Sequence, residues 1–144
     1  MSKITGILLA AGKSSRFGSN KLIHALPGGE AMVITSARNL LAVTNEVIAV
    51  VRPGDSEVIK ALSMPGISIV ENPRADEGMS TSIAAGIQAA ADTDGWVMAL
   101  ADMPWVEPET IKFLFNALQQ GASIVVPEYE GKRGNPVGFA AKWK

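Results

Sequence analysis

The chain has 144 residues, of which 47% are apolar and 19% charged, a composition typical of a globular domain rather than a disordered, coiled-coil or collagen chain. Its 13 basic side chains nearly balance 14 acidic ones, so we expect neither nucleic acid nor a membrane as partner. Cysteine is absent and His24 is the single histidine, which excludes disulfides, thiolate metal sites and zinc sites with several histidines.

Predicted strands alternate with predicted helices along the chain. Runs rich in β-branched residues and leucine predict strands over residues 4–10, 46–51, 67–70, 96–101 and 123–126. Apolar residues at helical spacing predict helices over residues 32–43, 56–62, 79–91 and 107–120. Such alternation predicts parallel strands joined by right-handed crossovers, and therefore a Rossmann-like, open, mostly parallel sheet in a three-layer α/β/α fold.

The sequence also predicts the domain organisation, the location of the protein and the loops that form its binding site. No linker or repeat divides the chain, so we expect a single domain over residues 1–144. The longest apolar run, residues 96–101, is far shorter than the ~20 residues that span a bilayer, and we expect a cytoplasmic protein. In open α/β sheets ligands bind at the carboxyl ends of strands, which selects the loops after Ala10, Arg52, Val70, Ala101 and Val126.

The loop after the first predicted strand has the composition of an anion-binding site. Residues 12–21 read Gly-Lys-Ser-Ser-Arg-Phe-Gly-Ser-Asn-Lys. Small residues let peptide N–H groups approach phosphate oxygens, and Arg16 and Lys21 add positive charge. The segment is not a Walker A loop, because Gly6 lies one residue too far upstream. From the residues alone, a solvated glycine-rich turn remains an alternative.

Asp102 follows the strand predicted over residues 96–101, and Pro104 turns the chain away from it. Magnesium prefers one or two carboxylates together with phosphate oxygens of a substrate. One aspartate at a strand end that faces a phosphate loop therefore suffices to bind Mg²⁺. Considered alone, Asp102 is equally compatible with a turn or a helix cap.

The segment from Leu9 to Lys21 resembles the LAAGxSxRxGxxK signature of the MobA-like nucleotidyltransferases, with every fixed position filled. The resemblance implies the nucleotide-diphospho-sugar transferase type of fold and a loop that wraps a nucleoside triphosphate, with Arg16 and Lys21 on its phosphates. The nucleotide-binding residues that it implies in this loop are Leu9, Ala10, Ala11, Gly12 and Ser14.

Two positions of the same signature indicate which nucleotide, CTP or GTP, the chain uses. Guanylyl-transferring relatives usually carry a second glycine where this chain has Ala11, and an aspartate where it has Asn20. The chain is therefore more similar to the cytidylyl branch, the molybdenum cofactor cytidylyltransferases. The resemblance implies CTP as the nucleotide, with another nucleoside triphosphate as the alternative.

Later segments resemble further motifs of the family. Residues 100–104 are similar to its LADMP motif, which implies that Asp102 binds Mg²⁺ and is catalytic together with Arg16 and Lys21. Residues 72–82 are similar to the NPxxxxGMSxS segment of cytidylyl relatives, which implies nucleotide binding by Gly78, Met79 and Ser82.

Residues 131–137 resemble the family's GxRGNPV element, which lies on the pterin side of the cleft. The resemblance implies that Gly134, Asn135 and Pro136 bind the acceptor. From the residues alone, a basic hairpin turn remains an alternative for this segment. For residues 72–82 the corresponding alternative is an ordinary helix start.

The resemblance implies a Mg²⁺-dependent reaction in which the terminal phosphate of the molybdopterin cofactor attacks the α-phosphorus of CTP and pyrophosphate leaves. Positioning and charge neutralisation drive such a transfer without a covalent intermediate. The alternatives are guanylyl transfer to the same pterin, transfer to a sugar phosphate, and a nucleotide-binding regulator or chaperone without turnover. A client molybdoenzyme is a further implied partner.

Relatives in the family extend beyond the position of Lys144 and there contribute helices and a second acidic residue near the metal. We therefore expect the 144-residue chain to lack the family's C-terminal segment. On this expectation the chain binds CTP with magnesium but turns over poorly.

Overall fold

A six-stranded mixed sheet forms the centre of the structure. The structure is a computed structural model that describes residues 3–11, 15–16, 19–20, 23, 26–44, 46–90, 92–103, 105–125, 128–129, 132–133 and 136–140. In chain order the strands are β1 (Ile4–Ala10), β2 (Ser15–Arg16), β3 (Ser19–Asn20), β4 (Val47–Val51), β5 (Ile67–Glu71), β6 (Gly95–Leu100), β7 (Ile124–Val125), β8 (Glu128–Tyr129), β9 (Lys132–Arg133) and β10 (Val137–Ala140). The helices are α1 (Met32–Leu41), α2 (Ser56–Ala61), α3 (Met79–Ala89) and α4 (Pro108–Gln119).

The order of strands in the sheet is β5-β4-β1-β6-β10-β7. Strands β5, β4, β1 and β6 are parallel, whereas β10 is antiparallel to both β6 and β7. Each helix and strand predicted from the sequence is present, with ends that differ by one or two residues. The prediction of a Rossmann-like, mostly parallel α/β sheet is confirmed.

Strand β10 and the small hairpins β2–β3 and β8–β9 were not predicted. β10 has four residues, Val-Gly-Phe-Ala, in which Gly138 interrupts the apolar pattern. Its strand conformation depends on neighbours that are distant in sequence, because it pairs with β6 on one side and β7 on the other. A short segment of this kind carries too weak a local pattern to be recognised.

Alternate residues of the central strands face opposite sides of the sheet, as the two-residue period of a strand requires. One side, which we call the first face, is covered by α1, α2 and α4 and includes Leu8, Ala49 and Val97. The other side, the second face, is covered by α3 and includes Ile7 and Trp96. Burial on both faces explains why β1, β4 and β6 are almost uninterrupted apolar runs.

One crossover has the opposite hand from the others. The connection from β1 to β4 runs through α1 over the first face, and the connection from β6 to β7 runs through α4 over the same face in the opposite lateral direction. Parallel connections that share a face but run in opposite directions have opposite handedness. The prediction that every crossover is right-handed is therefore wrong for the β6–α4–β7 connection, and α1 and α4 consequently lie side by side.

Helix α1 lies unusually close to β1. A Cβ atom at Gly6 would lie 2.7 Å from Leu40 Cγ and 2.9 Å from Thr44 Oγ1, and non-bonded contacts this short are essentially never seen for a Cβ atom. Gly6 in the middle of the strand thus permits the close approach, since a side chain there would force Leu40 and Thr44, or the helix itself, to move.

No helix in the described parts of the chain is both long and apolar enough to cross a membrane.

We predict that Gly6→Ala lowers the free energy of unfolding by roughly 1–3 kcal/mol, because the added methyl overpacks a filled interface. Gly28→Ala is the matched control, since a Cβ there meets no atom within 4 Å. The control should change stability by less than about 0.5 kcal/mol. Urea unfolding of both variants checks this, and a Gly6→Ala protein as stable as wild type would contradict the close contact.

Candidate active site

The carboxyl ends of four strands meet at one edge of the sheet. Ala10 pairs with Val51, and Val51 pairs with Glu71. Leu9 of β1 pairs with Leu100 at the end of β6. The loops after these strands therefore lie in a row, which we call the carboxyl edge, and the outer two are three strand spacings or roughly 14 Å apart. This length is on the scale of an extended nucleotide.

The structure brings most of the described candidate residues to this edge. Leu9 and Ala10 end β1, and Ala11 follows them; Ala10 and Ala11 are buried, so they offer backbone groups rather than side chains to a ligand. Arg16 lies in β2, which pairs with β3, and its side chain is outside the described part. The candidates Gly12, Ser14, Lys21, Gly134 and Asn135 lie outside the described residues.

Asp102 occupies a tight turn directly after β6. The Ala101 N–H donates to the Leu9 carbonyl at 3.0 Å, which continues the β1–β6 ladder one residue past the strand. The Met103 N–H donates to the Leu100 carbonyl at 3.2 Å and closes a turn around Asp102. The carboxylate is partly exposed and lies beside the strand that leads into the predicted phosphate loop.

Helix α1 supports this turn through two polar side chains that sequence reasoning missed. Ser36 Oγ donates to the Ala101 carbonyl at 2.8 Å, and Asn39 Nδ2 donates to the Val106 carbonyl at 3.0 Å. One signal was available in the sequence: Ser36 lies in the otherwise apolar buried stripe of α1. A polar residue in such a stripe needs a hydrogen-bond partner, and here the partner is the loop that carries Asp102.

Pro136 lies next to the same loop. It is buried and lines a small pocket together with Ser36, Asn39 and Met103. Strand β10 begins at the carboxyl edge because it runs antiparallel to β6, with Val137 opposite Met98. Pro136, the described member of the three predicted acceptor-binding residues, is therefore a neighbour of the Asp102 turn.

Asn72 organises the loop after β5. Its side chain is 3% exposed. Its amide donates to Thr81 Oγ1 and to Ser82 Oγ, both at 2.9 Å, and its carbonyl oxygen accepts the Arg74 N–H at 3.0 Å. One buried side chain thus joins the end of β5 to the first turn of α3. Sequence reasoning included Asn72 in a motif without assigning it a role.

The three candidates on α3 differ in their surroundings. Gly78 precedes the helix with φ of 121°, a backbone conformation that favours glycine, and no side chain caps the helix there. Met79 is 56% exposed, whereas Ser82 is buried and its hydroxyl accepts from Asn72. The start of α3 lies at the carboxyl edge, where a helix N-terminus favours anionic groups.

Two ion pairs border this loop. Arg52 Nη1 lies 2.6 Å from Asp76 Oδ1, and Arg74 binds Glu77 through two hydrogen bonds. Hydrogen bonding to Arg74 lowers the pKa of the Glu77 carboxyl and raises the pKa of Arg74. The pair therefore stabilises the fold above the ordinary carboxyl pKa and loses this contribution as the pH falls through the lowered value. Both side chains are largely exposed, so water screens the pair and its contribution is small.

Within the described ranges, no group of three or more histidine and carboxylate side chains forms a ready-made metal site. Asp102 alone offers a hard oxygen donor on the turn beside β1. A donor set of this kind fits a magnesium ion that takes its remaining ligands from phosphate oxygens and water.

Solved structures with this fold include a nucleotidyl transferase from Methanothermobacter, which superposes with a TM-score of 0.84 at 25% identity over 98% of this chain and 73% of that chain. A protein from Mycobacterium tuberculosis superposes with a TM-score of 0.83 at 24% identity, over 96% of this chain and 71% of that one. The fold is that of the nucleotidyltransferases. Residues 6–144 match the MobA-like NTP transferase domain, and the chain belongs to this family.

Curated relatives carry two kinds of name. The molybdenum cofactor cytidylyltransferase of Escherichia coli is 29% identical over 139 residues, 95% of this chain and 70% of that protein. A probable molybdenum cofactor guanylyltransferase from Natronomonas pharaonis is also 29% identical, over 89% of this chain and 64% of its own length. A probable molybdenum cofactor guanylyltransferase from Thermococcus sibiricus is 30% identical, over 94% of this chain and 67% of its own length. The chain thus spans about two thirds of these relatives, and overall identity does not distinguish CTP from GTP.

We predict that Asn72→Ala lowers the free energy of unfolding by roughly 1–3 kcal/mol, because it removes the buried amide that joins β5 to α3. The matched control is Asn116→Ala on the exposed side of α4, which should change stability by less than about 0.5 kcal/mol. Urea unfolding measures both. Equal stability of the two variants would show that the Asn72 network contributes nothing.

Proposed function

We propose that the protein is a Mg²⁺-dependent molybdenum cofactor cytidylyltransferase, which transfers CMP from CTP to the terminal phosphate of the molybdopterin cofactor and releases pyrophosphate. The observation that carries the proposal is the place of Asp102. It lies on a turn that the Leu9–Ala101 hydrogen bond fixes beside β1, the strand that leads into the family's phosphate-binding signature.

The chain supplies what this transfer needs. A phosphate oxygen of the acceptor forms a bond to the α-phosphorus while the bond from that phosphorus to the β-phosphate oxygen breaks, and pyrophosphate leaves with the electron pair. Both reactants are polyanions, so Arg16 and Lys21 neutralise the triphosphate, and loop amides around Gly12 and Ser14 donate to its oxygens. Asp102 would hold Mg²⁺, which when bound neutralises the charge that develops on the phosphates.

We assign the nucleotide to one end of the carboxyl edge and the acceptor to the other. The start of α3, with Gly78 and Met79, contributes to the nucleotide side, and Ser82 supports it from the interior. Gly134, Asn135 and Pro136 contribute to the acceptor side, which is consistent with the position of Pro136 beside the Asp102 turn. The reacting phosphates then meet near Asp102.

The choice of CTP rests on Ala11 and Asn20, which match the cytidylyl pattern. Guanylyl transfer to the same cofactor is the second candidate, supported by the equal identity to the probable guanylyltransferase from Natronomonas. We further propose that the protein acts in the cytoplasm and passes its labile product to a client molybdoenzyme. A non-catalytic nucleotide-binding chaperone is distinguished by saturable CTP binding without pyrophosphate release.

We predict that CTP outcompetes GTP as substrate by about tenfold or more in kcat/KM, because a mismatched base leaves buried hydrogen-bonding groups unpaired. The measurement is pyrophosphate release with molybdopterin cofactor as acceptor and each nucleotide in turn. Equal or reversed values would assign the chain to the guanylyl branch.

We predict that Asp102→Asn reduces Mg²⁺-dependent turnover about a hundredfold while the fold remains intact, since a metal ligand that stabilises the transition state by ~3 kcal/mol accounts for such a loss. Asp92→Asn is the control, because this exposed carboxylate precedes β6 at the opposite edge of the sheet. Turnover at limiting magnesium is measured for both variants. Wild-type activity in Asp102→Asn would remove the metal assignment.

A further inference from the structure

We propose that Ser36 and Asn39 of α1 are positioning residues that set the orientation of the Asp102 carboxylate for metal binding. The inference rests on the proposed function, since it concerns the same metal site. Ala101, the residue that precedes Asp102, is held by hydrogen bonds from two sides. The Ala101 N–H donates to Leu9 of β1, and the Ala101 carbonyl accepts from Ser36 of α1.

Both polar groups of Ala101 are therefore held by elements outside its own loop. The carbonyl of Ala101 belongs to the peptide group that links it to Asp102, so its direction determines how that peptide plane lies. Because Ser36 fixes this carbonyl at 2.8 Å, it also restricts the backbone from which the Asp102 carboxylate extends. A hydrogen bond to this particular peptide acts on the metal ligand without touching the metal.

Asn39 acts at the other end of the same loop. It lies three residues after Ser36 and therefore on the same side of α1. Its amide donates to the Val106 carbonyl at 3.0 Å, so the two side chains hold the loop at both ends and leave residues 102–105 between them. The β1–α1–β4 and β6–α4–β7 connections have opposite handedness, so α1 and α4 lie on the same face of the sheet. Helix α1 is therefore close to the loop that leads into α4.

The use of the Ser36 hydroxyl is unusual for a serine inside a helix. Such hydroxyls commonly bond a carbonyl of the preceding turn, as Thr44 does just after α1 by donating to the Leu40 carbonyl at 2.9 Å. Ser36 is 4% exposed and instead donates across 65 residues of sequence. An apolar residue would fit the buried stripe of α1 better, so the hydroxyl serves the loop rather than the helix.

Removing the buried Ser36 hydroxyl would leave its partner carbonyl without a donor. Without the Ser36 hydroxyl, the Ala101 carbonyl lacks its side-chain donor, and the peptide between Ala101 and Asp102 is free to rotate toward another partner. Groups that orient a metal ligand typically change metal affinity or activity 10–100-fold when they are removed. We expect the milder end of this range, because the Leu9 hydrogen bond remains.

The experiment measures Mn²⁺ binding in the presence of CTP, with the electron paramagnetic resonance signal of free Mn²⁺ as the readout. Ser36→Ala should weaken Mn²⁺ binding about tenfold, and kcat should fall by a similar factor while the KM for CTP changes less than about twofold at saturating metal. Ser36→Thr, which keeps the hydroxyl, should recover most of the affinity. Thr35→Val is the matched control, since it removes a partly buried hydroxyl from α1 that donates to Glu30 at 2.7 Å rather than to the loop.

Asn39→Asp provides a second variant in case Ser36→Ala folds poorly, because it retains the size of a partly buried side chain and removes the donor to Val106. It should weaken Mn²⁺ binding in the same direction. Wild-type Mn²⁺ affinity in Ser36→Ala, or in Asn39→Asp where Ser36→Ala does not fold, overturns the proposal. An equal loss in Thr35→Val also overturns it, because the effect would then reflect general destabilisation of α1.

Failure of this inference is distinguishable from failure of the proposed function. If wild-type protein releases no pyrophosphate while Mn²⁺ binding still depends on Ser36 and Asp102, the transferase proposal fails and the positioning role stands. If wild type turns over and Ser36→Ala binds Mn²⁺ normally, only the positioning role fails.

Discussion

The close contact between α1 and β1 at Gly6 is the constraint on which the geometry of the carboxyl edge depends. Because Gly6 has no side chain, Leu40 of the helix and Thr44 just after it approach the strand backbone directly. The same helix places Ser36 within hydrogen-bonding distance of Ala101, the residue before Asp102. A shift of α1 by the width of a methyl group would break that bond, so we expect a packing requirement in the middle of β1 to affect the position of a carboxylate beyond the end of the neighbouring strand β6.

The two loops that we assign to metal and nucleotide are fixed by the same physical means on opposite faces of the sheet. On the first face, Ser36 and Asn39 bind backbone carbonyls of the Asp102 loop; on the second, Asn72 joins the end of β5 to α3. Neutral hydroxyl and amide groups suit this task, because burying them with partners costs far less than burying charges. The charged side chains Arg52 and Arg74 bind carboxylates at the exposed border instead, where water screens them.

The sequence predicted the central sheet well, because β1, β4 and β6 are buried on both faces and carry an unmistakable apolar pattern. Strand β10 was not predictable, since a four-residue segment with glycine becomes a strand only through its pairing with β6 and through the packing of Phe139 on Trp96, with ring centroids 5.9 Å apart. The hand of the β6–α4–β7 crossover also arises from tertiary packing. At the candidate site, the family motifs predict roles for Asp102 and the start of α3. The hydrogen bonds of Ser36 and Asn72 depend on contacts between elements that sequence spacing does not reveal.

The central claim is that the nucleotide binds at the carboxyl edge above β1, between the start of α3 and the Asp102 turn. Chemical-shift mapping of backbone amides in ¹⁵N-labelled protein tests this most directly, with CTP added in the presence of Mg²⁺. The account predicts that the amides of Ala11, Met79 and Asp102 shift, while those of Thr5 and Asp94 at the opposite edge do not. Shifts concentrated at Thr5 and Asp94, with Ala11 and Asp102 unchanged, would contradict it.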